Sequence, residues 1–267
     1  MIKILSSLIF LLIAFQSVAQ SNISYVFSLS PNYNYRSYKE VKNDNSNSDK
    51  ANFDTFKNYY DDREDPQVGI SSFVGFSLDL KRKVKLTTGL TYKSLFERVS
   101  VPIPEAIYQY NGSLGSFYGN NPEVKKFNNT YQYLGIQVMG AHNLVERNKY
   151  VIGIEIGAEI DKLINYKIGS HEIPSMNHYT NSDVKYQYSD PQQVTLNLCG
   201  GLMFEYKPNE KISLYSSPQF TRYITPNVTY DIPVGEDSNM KINQFNYFAE
   251  IQFGIIFKNL RTKSQNS

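Results

Sequence analysis

Cysteine, tryptophan, histidine and long apolar runs are all scarce in this 267-residue chain. Cys199 is the only cysteine, so no intrachain disulfide can form. If the chain is exported, burial and hydrogen bonding must hold it together without covalent staples. Cys199 falls inside an expected strand, where a small packed residue is the simplest reading. Tryptophan is absent, and the three histidines are His142, His171 and His178. The net charge of +2 gives no strong overall field for nucleic acid or for an acidic partner. After residue 20 no apolar run approaches the ~20 residues that a membrane-spanning helix needs. Any membrane-spanning structure downstream would have to be a closed barrel, because only helices and barrels satisfy every backbone N–H and C=O inside lipid.

The N-terminus has a three-part pattern. A basic start, Met1-Ile2-Lys3, precedes the apolar run Ile4 to Ala14 and the small-residue stretch Ser17-Val18-Ala19. This is the form of a secretory signal peptide cleaved after Ala19. The alternative is an uncleaved N-terminal anchor. No cysteine lies near the cleavage position, which excludes a lipoprotein anchor.

The remaining chain is dominated by period-two alternation, the signature of strands. In the last expected strand Phe245, Tyr247, Ala249, Ile251, Phe253, Ile255 and Phe257 share one parity. Asn246, Phe248, Glu250, Gln252, Gly254, Ile256 and Lys258 share the other, which is mostly polar or small. The first strand repeats this, with Ile23, Tyr25, Phe27, Leu29, Pro31, Tyr33 and Tyr35 against Ser24, Val26, Ser28, Ser30, Asn32, Asn34 and Arg36. Six more segments behave alike, beginning near Val68, Val84, Thr130, Ile152, Val194 and Ile212. In the second strand Val68, Ile70, Val74, Phe76, Leu78 and Leu80 are expected on the apolar face. The fourth, Thr130 to Ala141, is the weakest, because Tyr131 and Tyr133 fall on its polar side.

Charge follows the same parity. Arg36, Asp79, Lys85, Lys93, Glu97, Glu155, Glu159, Asp161, Glu205, Glu250 and Lys258 all lie on polar faces, and only Lys162 and Arg222 lie on apolar ones, near strand ends. A basic residue on a lipid-facing surface costs ~2–4 kcal/mol at the midplane but only ~0–1 near the interface.

Connection lengths alternate too. Lys81-Arg82-Lys83, Asn143 to Lys149 and Lys207-Pro208-Asn209-Glu210 are short. Val41 to Gln67, Ser100 to Asn128, Ile168 to Gln193 and Asn227 to Ile242 are long and polar. Strict short–long alternation is the asymmetry of outer-membrane barrels, with periplasmic turns and extracellular loops. On this topology Tyr33, Tyr35, Tyr92 and Phe96 form an upper aromatic belt, and Phe204, Tyr206, Phe253 and Phe257 a lower one. The fold expected is therefore all-β, an antiparallel up-and-down transmembrane β-barrel of eight strands. Residues 1–19 form the signal peptide, 20–260 the barrel and 261–267 a C-terminal tail.

From Ile23 to Leu260 the chain resembles the outer-membrane β-barrel domain family, which includes the PorT-like barrels. The resemblance rests on strand layout, on Tyr131-Gln132-Tyr133-Leu134-Gly135-Ile136-Gln137-Val138, and on the closing Phe253-Gly254-Ile255-Ile256-Phe257. Gln137 stands where that family usually has proline, and a tail follows the terminal aromatic strand. The resemblance implies fold and outer-membrane location, insertion by the barrel-assembly machinery and outer-membrane lipid as surroundings. The family is functionally heterogeneous and its motifs are structural.

An eight-stranded barrel is only wide enough for side chains. Arg36, Asp79, Lys85, Lys93, Glu97, Glu155, Glu159, Asp161, Glu205 and Glu250 are therefore expected to form an interior polar network. Glu155 and Glu159 share a face, but glycosidase-type chemistry needs a cleft between its carboxylates. His142 falls at a short turn, and His171 and His178 lie in a long loop at no familiar ligand spacing. The acidic run Tyr60 to Asp65 lacks the glycine of a calcium loop. No catalytic residue, metal ligand or cofactor is therefore expected. The function expected is non-enzymatic, structural or accessory to a secretion or transport assembly, with long loops contacting a protein partner. The alternatives are a barrel enzyme acting on lipid or peptide and a soluble periplasmic ligand-binding barrel.

Overall fold

The computed structural model describes residues 23–40, 64–80, 83–102, 106–110, 113–117, 124–167, 191–233 and 239–258. The N-terminal segment expected to be a signal peptide and the C-terminal tail lie outside them, as do His171, His178 and residues 60–63 of the acidic run.

Every described element is a strand: β1 (Ile23–Glu40), β2 (Glu64–Pro66), β3 (Val68–Asp79), β4 (Val84–Pro102), β5 (Ala106–Tyr110), β6 (Ser113–Phe117), β7 (Val124–Glu146), β8 (Tyr150–Lys167), β9 (Val194–Tyr206), β10 (Ile212–Tyr223), β11 (Val228–Pro233) and β12 (Asn239–Lys258). Eight of them form an antiparallel ring in the order β1-β3-β4-β7-β8-β9-β10-β12, and β12 pairs back onto β1 from Ser24↔Lys258 to Glu40↔Ile242. Closure leaves no open edge in the ring, so its ladders can satisfy the backbone without water.

The ring is staggered. Register partners followed once round, from Lys85 on β4 through Glu155 on β8 and Glu250 on β12 to Gly69 on β3, lead back to β4 at Leu95. That offset of ten residues tilts the strands by roughly 40° and fixes a narrow lumen.

Alternation decides which side chains enter that lumen. On β1, Ser28, Ser30, Asn32, Asn34 and Arg36 are buried, while Tyr25, Phe27, Leu29 and Tyr33 are exposed. On β8, Ile152, Ile154, Ile156 and Ile160 are exposed, and Glu159 and Asp161 are buried. This is the polarity of a soluble barrel turned inside out: apolar side chains cover the outside and polar ones fill the inside.

The structure corrects several sequence expectations. Strand pairing runs well into two of the expected long loops. β4 and β7 stay paired out to Pro102↔Val124, which makes the weakest expected strand the longest, at 23 residues. β11 pairs with β12 from Val228↔Gln244 to Pro233↔Asn239, inside the expected fourth loop. β5 and β6 form a small separate hairpin, and β2 pairs with β4. Above an apolar band a strand no longer needs one greasy face, so its alternation fades while its ladder continues. Leu78, expected outside, is only 5% exposed.

Interior glycines make room for large neighbours. A Cβ on Gly75 or Gly89, which face each other across β3 and β4, would stand 2.7 or 2.8 Å from Cζ of Phe73. The Phe73 ring thus lies over the space that the two glycines leave.

Candidate functional site

Among the described residues polar chemistry is concentrated in the lumen, where it is organised in tiers. At the short-turn end, Glu205 on β9 receives Lys85 from β4 and, at 3.5 Å, Lys258 from β12. Next comes an apolar layer, with Val26, Phe73 and Ile256 packed with Tyr215 on one side and Ala141, Val151 and Met203 on the other. A cavity of about 40 Å³ lies here, bordered by residues that include Met139, Glu155, Tyr215 and Gln252. It has room for a water molecule or two.

Glu155 sits above this layer and accepts hydrogen bonds from Ser217 and Gln219 on β10. Gln252 Nε2 donates to Glu250 and to Gln219 Oε1, at 3.3 Å each.

The middle tier is centred on Lys93, which is 2% exposed. Its ammonium donates to Glu159 and, at 3.1 Å, to Asp161 Oδ2. Thr91 also donates to Glu159. Asp161 Oδ2 further accepts from Asn197 Nδ2 at 2.6 Å and from the Tyr223 hydroxyl at 3.3 Å. The ammonium also stands 5.0 Å from the centre of the Phe248 ring. A buried ion pair is tolerable only when its remaining donors and acceptors are met, as most are here. Cys199 Sγ lies 4.0 Å from Glu159 Oε2, buried and packed.

The upper tier gathers on Glu97. Arg36 Nη1 and Asn34 Nδ2 donate to it at 3.2 Å, and Gln244 Nε2 and Asn246 Nδ2 at 3.4 Å. Above β10 the chain turns inward: Asn227 Nδ2 donates to the Tyr133 hydroxyl at 3.2 Å, and its Oδ1 accepts the Asn246 N–H at 2.8 Å.

Of the expected network, Arg36, Lys85, Lys93, Glu97, Glu155, Glu159, Asp161, Glu205 and Glu250 all point into the lumen, but as separate tiers. Asp79 does not. It is exposed at the end of β3, where Ser77 and Leu78 are buried in succession and the alternation slips. Beyond that slip Asp79 stands in register with Lys85, whose ammonium reaches across to Glu205 instead. His142 is exposed at the short-turn end of β7. Glu155 and Glu159 bind different partners in different tiers.

Charge-based reading missed Asn197, Tyr223 and Asn227. The first two carry the inward parity of their strands and could have been found by extending it to neutral side chains. Asn227 follows the end of β10, where parity gives no signal.

On the outer surface, aromatic side chains collect at both ends of the apolar band. Tyr35 stacks on Tyr247 at 5.4 Å, with Tyr33 4.9 Å from Tyr35 and Phe220 5.9 Å from Tyr247. Towards the short turns Tyr150 lies 5.3 Å from Tyr206, and Phe27 lies 6.1 Å from Phe257.

No protein-family model and no curated protein matches the chain. Among solved structures it is similar to Neisserial surface protein A, at 6% identity, with 89% of this chain and 97% of that one covered and a TM-score of 0.41. It is also similar to the outer membrane protein OprG from Pseudomonas aeruginosa, at 9% identity, with 88% and 96% covered and a TM-score of 0.42. The fold itself is established by the strand pairings: a closed, antiparallel, eight-stranded up-and-down barrel.

Proposed function

We propose that this chain is an integral outer-membrane barrel of the PorT-like kind that conducts no solute and catalyses no reaction. It works as an anchor that presents its long connections to a protein partner, as a structural or accessory part of a secretion or transport assembly. The observation that supports this is the distribution of polarity. The outer face is apolar along the strands, while ion pairs, amides and the buried rings of Tyr131, Tyr133, Tyr223 and Phe248 fill the lumen. An apolar exterior suits lipid, and a packed interior leaves the ends of the barrel to carry the function.

Two measurements test the reading. The first is reconstitution in planar bilayers, where an inserted barrel with no steady conductance is expected and a stable open channel would overturn the anchor role. The second is purification from native membranes in mild detergent through a C-terminal tag. A stoichiometric protein partner supports the accessory role, and a solitary barrel counts against it.

A further inference from the structure

The three short turns carry a positive excess that the anchor role does not use. Residues 79–83, 143–150 and 207–211 contain seven Lys and Arg against three Asp and Glu. The four long connections, residues 41–67, 100–128, 168–193 and 227–242, contain eight Lys and Arg against fifteen Asp and Glu in the sequence. The net charge of +2 conceals this asymmetry between short and long connections.

Of these cations, the described ones, Lys83, Arg147, Lys149, Lys207 and Lys211, lie at the short-turn end of the barrel. The Asn143 N–H donates to the Lys83 carbonyl at 2.7 Å and the Lys207 N–H to the Lys149 carbonyl at 2.8 Å, which tie neighbouring turns together, and the Lys258 N–H at the end of β12 donates to the Lys211 carbonyl at 2.8 Å. Within the turns, the Arg147 N–H donates to the Tyr150 carbonyl at 2.8 Å, and Asn209 Oδ1 accepts the N–H groups of Lys211 and Ile212 at 2.9 Å. Lys207 is neutralised by Glu146 at 3.1 Å and Lys258 by Glu205 at 3.5 Å. Lys83, Arg147, Lys149 and Lys211 are exposed and form no ion pair with a described residue.

Their depth is set by aromatics. Tyr150 and Tyr206 pack side by side on the outer face, and Lys149 and Lys207 are the next residues beyond them. Interfacial tyrosines sit at headgroup level, and one strand residue advances ~3.3 Å, so these cations reach the phosphates. A zwitterionic headgroup brings its own cation to that layer, whereas an anionic one supplies the counter-charge that the rim lacks. Arg147 adds a planar fork matched to phosphate oxygens.

We infer that the short-turn rim is a docking surface for anionic phospholipid headgroups in the leaflet it faces. The inference rests on the membrane reading above and adds to it a lipid class.

The test reconstitutes the chain in phosphatidylcholine vesicles and compares spin-labelled phosphatidylglycerol with spin-labelled phosphatidylcholine. The quantity measured is the motionally restricted fraction of each lipid in electron paramagnetic resonance spectra. Phosphatidylglycerol is expected to be favoured by at least about threefold at low ionic strength, with the preference falling as salt is added. The combined substitution R147Q/K149Q/K211Q is expected to bring the ratio to near one and leave the heat-dependent gel shift unchanged. Equal association of the two lipids with the native sequence overturns the inference. So does a preference that survives the triple substitution, or one removed by K162Q/R222Q at the opposite end. A chain that does not enter vesicles removes the membrane reading as well. A chain that inserts but shows no preference removes this inference alone.

Discussion

Arg36 on β1 and Glu97 on β4 meet at 3.2 Å although β3 separates their strands. Ladder partners alone cannot produce that contact. It exists because the ring is narrow enough for side chains two strands apart to touch inside it. Glu97→Ala breaks this buried pair and removes the carboxylate that also accepts from Asn34, Gln244 and Asn246, and is expected to cost ~3–5 kcal/mol. Urea titration of the folded fraction, read from gel mobility, checks this, and a loss below ~1 kcal/mol would mean that water reaches the pair.

Ile156 is 72% exposed in the middle of β8. Ile156→Lys is expected to destabilise the barrel in bilayers by ~2–4 kcal/mol if lipid covers that face. Lys162→Leu, nearer the strand end, is expected to change stability by less than ~1 kcal/mol. Comparing both variants by reversible unfolding in vesicles decides the point, since a neutral Ile156→Lys is the behaviour of a surface facing water.

Gly89 has no room for a side chain, since a Cβ there would meet the Val74 carbonyl oxygen at 2.3 Å and Phe73 Cζ at 2.8 Å. Gly89→Ala is expected to lower stability by ~1–3 kcal/mol through overpacking. Adding Phe73→Leu should recover only part of the loss, because the carbonyl contact remains. The non-additivity of the double variant in a denaturant series measures the ring's share.

Asn227 holds the chain above β10 against the lumen. Asn227→Ala removes the acceptor of the Asn246 N–H and the donor to the Tyr133 hydroxyl. An unmet buried donor costs ~1–3 kcal/mol, so the upper end of β12 should loosen before the rest of the barrel. Hydrogen exchange should then be faster at Asn246 and unchanged at Gln252, lower on the same strand. Uniform acceleration along β12 would instead indicate global destabilisation.

Much of this architecture is legible in the sequence. The parity of Phe245 to Phe257 against Asn246 to Lys258 placed each side chain correctly, because a strand points alternate residues to opposite faces whatever its neighbours. The inward position of Tyr131 and Tyr133 was also legible, although it made the fourth strand look weak. Asp79 and Leu78 were misplaced because the alternation slips where β3 meets its turn. The extension of β4 and β7 to Pro102↔Val124 was invisible because neither face there is uniformly apolar.

The sequence by itself determined the alternation, the number of ring strands and the short–long rhythm of connections, all of which depend on residues near one another in the chain. Only the tertiary structure decided which inward charges meet: Arg36 with Glu97, Lys93 with Glu159 and Asp161, and Lys85 with Glu205. Those choices follow from closure and from the ten-residue stagger. Both are properties of the whole ring, and no single strand encodes them.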